Sequence, residues 1–167
     1  RKTLKSLRPA LDVAAYRDYI KSHVHAYESE HGAELKPGAI ELARSLKRRG
    51  IKTALATSSR RERAKQLFDK AGLNINALFD AAVYREDVKV AKPDPDIFLT
   101  AAQRLCVPPA DTVVVEDSIN GLTAAYAGGF VPIMAVDLLP PPQKFTSPPY
   151  DLNVAYSMKE VAKLLGI

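Results

Sequence analysis

Thr112-Val113-Val114-Val115-Glu116-Asp117-Ser118 sets four β-branched residues directly ahead of two adjacent carboxylates. A run of this kind reads as a buried parallel strand that delivers acids to the C-terminal edge of a sheet. In open α/β sheets the ligand crevice lies at that edge. Neighbouring carboxylates are costly there unless positive charge sits beside them. Hard oxygen donors suit a divalent cation such as Mg²⁺. The same letters also fit an acidic turn capping the next helix.

Working outward, helices and strands alternate. Upstream, residues 10–31 carry Leu11, Ala14, Ala15, Tyr19 and Ile20 at helical spacing. Pro37-Gly38 starts a second helix with an Ile40/Ala43/Leu46 stripe and Gly50 as its C-terminal cap. Residues 51–56 read as a strand ending in Thr57-Ser58-Ser59, residues 60–71 as a helix, and residues 79–83 as a short strand. Asp94 is placed to cap a helix that opens on Pro95 and buries Ile97, Phe98, Ala101 and Leu105. Downstream, a helix runs through Leu122 and Ala125 to Gly128. Residues 131–136 are a further strand candidate, in which Pro132 suggests an exposed or edge position. A proline-rich loop spans 137–150, residues 152–156 are a last strand, and Ser157 with Glu160 is a capping box for the final helix. This order predicts an α/β fold: a Rossmann-like parallel sheet with helices on both faces.

The 167 residues suffice for one domain with a real core. No apolar run is long enough to span a bilayer. Cys106 is alone, which excludes an intrachain disulfide and suits a reducing, cytoplasmic setting. The net charge is +5 with a pI near 9.3. The basic patches Lys47-Arg48-Arg49 and Arg60-Arg61-Glu62-Arg63 are interrupted by acids and lack interleaved aromatics, which argues against nucleic acid as the partner. A solvated helix face explains most of that charge. His23, His25 and His31 cluster early, but on a helix 23 and 25 point in different directions, toward solvent or a partner rather than a metal.

Three chain segments carry polar groups that can converge. Thr57-Ser58-Ser59 precedes a helix start, where hydroxyls and free N–H groups suit a phosphate; simple N-capping is the other reading. Lys92 lies in Val90-Ala91-Lys92-Pro93-Asp94-Pro95-Asp96, where two prolines stiffen the backbone and hold a point charge in place. A surface lysine before a proline is equally common. Glu116-Asp117 is the third.

Together and in this order, these segments resemble the haloacid dehalogenase-like hydrolase superfamily, in particular the branch that holds β-phosphoglucomutase and phosphoglycolate phosphatase. The match lies in Ala54-Leu55-Ala56-Thr57-Ser58-Ser59, in the Lys-Pro-x-Pro-x-x-Phe segment from Lys92 to Phe98, and in the Glu-Asp-Ser-x-x-Gly segment from Glu116 to Gly121. The resemblance implies phosphatase or phosphomutase chemistry on a small phosphorylated metabolite such as a sugar phosphate, through an aspartyl-phosphate. It implies that Asp117 binds Mg²⁺, with Glu116 helping directly or through water. Thr57 would donate to a phosphoryl oxygen beside the Ser58 N–H, and Lys92 would bridge nucleophile and phosphate. Ser59 and Arg60 match positions that touch a second phosphate in the mutase branch. His23, His25 and Tyr27 are candidates for substrate contact.

One departure matters. The family pattern opens with Asp-x-Asp at the end of a first strand, and no such segment precedes Thr57. Asp12 has a helical context, and Asp94-Pro95-Asp96 follows the lysine and opens a helix. The expectation is therefore a cap remnant at 1–34 and, at 35–167, an α/β core lacking its first strand. That strand would lie between the strand ending at Thr57 and the strand ending at Glu116. Without it, each unsatisfied buried backbone group costs about 1–3 kcal/mol. Two readings follow: the C-terminal portion of a longer enzyme, or a non-catalytic relative that binds phosphate or a protein partner.

Overall fold

The computed structural model describes residues 8–31, 35–137 and 152–167, except the side chains of His25, Glu28, Ser29 and His31. The proline-rich loop and two of the three histidine side chains thus lie largely outside the described residues. The chain divides into two units, 1–34 and 35–167. In the first, helix α1 (Val13–His31) starts where Asp12 Oδ1 accepts the N–H groups of Ala14 and Ala15, both at 3.0 Å. His23 is exposed, and its Nδ1 lies 2.8 Å from the Tyr19 carbonyl. Tyr16, Tyr19, Ile20 and Val24 are exposed along this helix. No helix among the described residues is long and apolar enough to cross a membrane.

The second unit alternates helices and strands. In chain order it contains α2 (Ala39–Arg48), β1 (Ala54–Ala56), α3 (Arg61–Lys70), the short α4 (Ile75–Leu78) and β2 (Ala81–Val83). These are followed by α5 (Asp96–Leu105), β3 (Val113–Glu116), α6 (Ile119–Ala127), β4 (Val131–Ala135), β5 (Asn153–Ala155) and α7 (Met158–Leu164). All pairings are parallel. β1 pairs with β2, while β3, β4 and β5 form a second ladder in that order. Among the described residues, β1 and β3 do not pair with each other.

Period-two alternation sends successive strand residues to opposite faces. On one face Ala54, Ala56, Val83 and Val114 join Ile97, Phe98, Ala101 and Ala102 of α5 and Ala124 and Ala125 of α6. On the other, Leu55 and Ala82 meet Ala64 of α3, while Ile133, Ala135 and Ala155 meet Met158 and Val161 of α7. Helices therefore cover both faces, and the first core cluster draws on both ladders.

Three expectations are corrected. The Val113–Val115 run is not uniformly buried: Val114 is 7% exposed, but Val113 and Val115 are 39% and 40% exposed. Those two point away from the α5/α6 core. Pro132 is not on an edge strand, because β4 is central. The Val131 N–H donates to Thr112 O on the β3 side, and the Val136 N–H donates to Ala155 O on the β5 side. By alternation, position 132 faces the β5 side, where pairing starts only at Ile133↔Asn153. Among the described residues, its missing N–H therefore leaves no ladder bond unmade. Pro95 is the residue before α5, not its first turn, and Asp94 Oδ1 accepts the Asp96 N–H at 3.1 Å from one position further out. Strands are also shorter than periodicity suggests, and α4, capped by Asn74, has no hydrophobic period long enough to reveal it.

Candidate active site

Glu116 ends β3, and its carboxylate is held from both sides. Lys92 Nζ donates to Oε2 at 2.8 Å, with both side chains 12% exposed. Ser118 Oγ donates to Oε1 at 2.7 Å and itself accepts the Gly121 N–H at 3.0 Å, so one hydroxyl caps α6 and orients the acid. Gly121 leaves room for this arrangement: a Cβ there would lie 2.0 Å from Glu116 Cδ and 2.2 Å from Cγ. Lys92 is fixed in turn. Its ammonium lies 4.5 Å from the centre of the Phe98 ring. The segment before it is folded by Asp96 Oδ2, which accepts the N–H groups of Lys89 at 2.9 Å and Val90 at 3.3 Å. The letters Asp-x-Asp at 94–96 thus build the lysine loop.

Asp117 is exposed, one residue beyond the strand. Partial desolvation and then the neighbouring Glu116 charge push its carboxyl above the usual carboxylate range, while its own backbone N–H and Lys36 pull it down. Lys36, in the turn before α2, lies 3.3 Å from Asp137, just past β4. Lys36 and Asp137 are residues that no sequence motif singled out, and Ser118 lies within the Glu-Asp-Ser-x-x-Gly motif without a role assigned to it. The one available signal was position, since each sits just outside a regular element.

Thr57 extends β1 by one rung, its N–H donating to Val83 O at 3.0 Å. Its Oγ1 accepts the Ser59 N–H at 3.1 Å, which leaves the single hydroxyl proton to be donated elsewhere. Ser58 and Arg60 are exposed. Arg60 precedes α3 without a side-chain cap. The hydrogen bonds of Thr57 and Ser59 run within this loop and to β2 and its following turn. Lys92, Glu116 and Ser118 are joined directly, with Asp117 beside them. Ala56, the residue before Thr57, packs into the same core cluster as Phe98, on whose ring Lys92 rests. Among the described residues, no group of three His, Cys, Asp or Glu side chains forms a metal cage.

A model of haloacid dehalogenase-like hydrolases matches residues 1–129. A phosphorylated carbohydrates phosphatase of Thermotoga maritima is 35% identical over 139 residues, covering 81% of this chain and 63% of that protein. A β-phosphoglucomutase of Bacillus subtilis is 42% identical over 96 residues, covering 58% of this chain and 41% of that protein. The crystal structure of CbbY from Rhodobacter sphaeroides in complex with phosphate superposes with a TM-score of 0.72 at 29% identity, covering 91% of this chain and 67% of that one. The chain spans less than two thirds of the length of these two curated relatives.

Proposed function

We propose, from the premise that this chain belongs to the haloacid dehalogenase-like hydrolases, that it supplies the phosphate- and cation-binding half of a phosphoryl-transfer site. The substrate is a small phosphorylated metabolite of the sugar phosphate class, as the names of the relatives suggest. The observation that carries this reading is the nearly buried Lys92–Glu116 pair at 2.8 Å on the C-terminal rim. An ammonium held there by a carboxylate and an aromatic face is a fixed point charge, suited to an anion. Thr57, with its free O–H, and the Ser58 N–H are the groups assigned to a phosphoryl oxygen, with Ser59 and Arg60 open to a second anionic group.

The donor set fits Mg²⁺ in part. Both Glu116 oxygens already accept hydrogen bonds, so Asp117 is the direct ligand and Glu116 acts beside it or through water. Mg²⁺ keeps several waters and needs few protein oxygens, which agrees with a two-acid site. When bound, it would neutralise phosphoryl charge. The charge it brings would favour the ionised form of Asp117.

Residues 1–34 are assigned to a helical cap and 35–167 to the hydrolase core. The acid that attacks phosphorus is assigned to a further strand seated between β1 and β3, which do not pair with each other among the described residues. The absence of Asp-x-Asp before Thr57 also supports a second reading, a non-catalytic relative that binds phosphate. The single exposed Cys106 agrees with a cytoplasmic setting. Equilibrium dialysis with Mg²⁺ tests the site: binding should be lost in Asp117→Asn, and unchanged binding in that variant would refute the assignment. Phosphate release from a panel of sugar phosphates by the protein carrying these residues together with an Asp-x-Asp strand separates the two readings.

A further inference from the structure

The turn after β2, Arg85–Asp87, grips the Thr57–Arg60 loop from outside the site. One bond joins it to that loop and two more join it to Arg61, the first residue of α3. The Arg85 N–H donates to Ser59 O at 3.1 Å. Glu86 Oε1 accepts the Arg61 N–H at 2.8 Å, serving as the N-terminal cap that Arg60 does not provide for α3. Asp87 Oδ1 accepts from Arg61 Nη2 at 2.9 Å, and that guanidinium lies 4.3 Å from the centre of the Tyr84 ring.

Asp87 is also the most heavily bonded carboxylate in this region. Its Oδ2 accepts the Tyr84 N–H at 3.0 Å and Arg104 Nη1 at 3.1 Å. Arg104, on α5, reaches back to the Ala82 carbonyl in β2. One carboxylate, 12% exposed, thereby ties together β2, α5 and the start of α3. Surface ion pairs are worth little when isolated, but a network around a nearly buried acid holds geometry.

We infer that Glu86 and Asp87 are positioning residues: through Arg61 they set where the Thr57 hydroxyl and the Ser58 N–H stand, and so how tightly the loop takes a phosphoryl group. The inference rests on the reading of that loop as the phosphate seat. Both carboxylates are engaged by Arg61, and an acid is not itself a partner for an anion. The contribution is made through backbone placement, and a small misplacement of a binding group has a steep cost.

The test is titration of the isotope-labelled 167-residue chain with inorganic phosphate, following the Ser58 and Ser59 amide resonances, with thermal unfolding in parallel. Glu86→Ala and Asp87→Asn should weaken phosphate binding by roughly tenfold, the order of one hydrogen bond to the anion lost. Glu86→Gln, which keeps an acceptor oxygen for the Arg61 N–H, should restore binding close to that of the parent chain. If the parent chain shows no phosphate-dependent shift at these amides, the seat itself is overturned and the inference goes with it. If the parent binds and Glu86→Ala and Asp87→Asn bind equally well, the clamp alone is overturned. If Glu86→Ala loses binding and Glu86→Gln, with a parent-like melting temperature, fails to restore it, the acceptor oxygen does not place the loop and the clamp is likewise overturned.

Discussion

Gly121→Ala should destabilise this protein, although replacing a helical glycine with alanine ordinarily stabilises by up to about 1 kcal/mol, because Gly121 is buried against Glu116. The new methyl would stand 2.0 Å from Glu116 Cδ and 2.4 Å from Oε1, so the glutamate must leave its place. Displacement breaks the 2.8 Å contact with Lys92 and the 2.7 Å contact with Ser118. Charged hydrogen bonds of this kind are worth about 1.5–3 kcal/mol each when well shielded, and overpacking adds about 1–3 kcal/mol. Partial relaxation of the glutamate recovers some of this, leaving a net loss of about 1–3 kcal/mol. The same substitution in a Glu116→Ala background meets no Cγ, Cδ or Oε1. There it should stabilise by about 0.5–1 kcal/mol. The cycle is measured by guanidinium unfolding of the four chains with equal m-values, and the change of sign is the signature. An equal loss from Gly121→Ala in both backgrounds would show that the glycine serves something other than the Glu116 cradle.

Lys92→Met leaves Glu116 without its cation in a nearly buried site and should cost about 2–4 kcal/mol at pH 7. Urea unfolding of both chains at pH 7 checks it, and an unchanged midpoint would refute the pairing. Asp117→Asn should act the other way on the ligand-free chain. A carboxyl raised above its ordinary 3.8 penalises the folded state once it ionises, so the variant should be more stable at neutral pH by less than about 1 kcal/mol, because solvent screens an exposed group. The gain should vanish below the unfolded-state value, and a destabilised variant at pH 7 would contradict it. Asp87 shows the opposite sign. Burial pushes its carboxyl up, but bonds from Tyr84, Arg104 and Arg61 outweigh that and hold it below the usual range. Its contribution is present above the unfolded carboxylate value and is lost as pH falls through the lowered folded value. Asp87→Asn should therefore destabilise by about 1–2 kcal/mol at pH 7 and by less in acid, as thermal melts at both pH values would record.

The order of helices and strands in 35–167 was legible because periodicity and capping act over a few neighbouring residues. Val131–Ala135 and Ser157-Met158-Lys159-Glu160 declare themselves in this way. The capping box needed amendment: Ser157 accepts the Glu160 N–H at 3.2 Å, but Glu160 Oε2 takes the Tyr156 N–H. Pro132 was misjudged because a proline reports only its own missing donor. What lies opposite position 132 depends on the register of β5, twenty residues further along the chain.

The residue types in Thr57-Ser58-Ser59, Lys92 and Glu116-Asp117, together with their order, were enough to indicate the family whose model matches residues 1–129. Only the folded chain decided that Lys92 belongs to Glu116, that Ser118 and Gly121 shape the glutamate's seat, and that Glu86 and Asp87 brace a loop some twenty-five residues away. Local sequence sets backbone preference through short-range sterics and hydrogen bonding. A charge finds its partner through packing, because what makes the pairing worthwhile is the water that the rest of the fold removes.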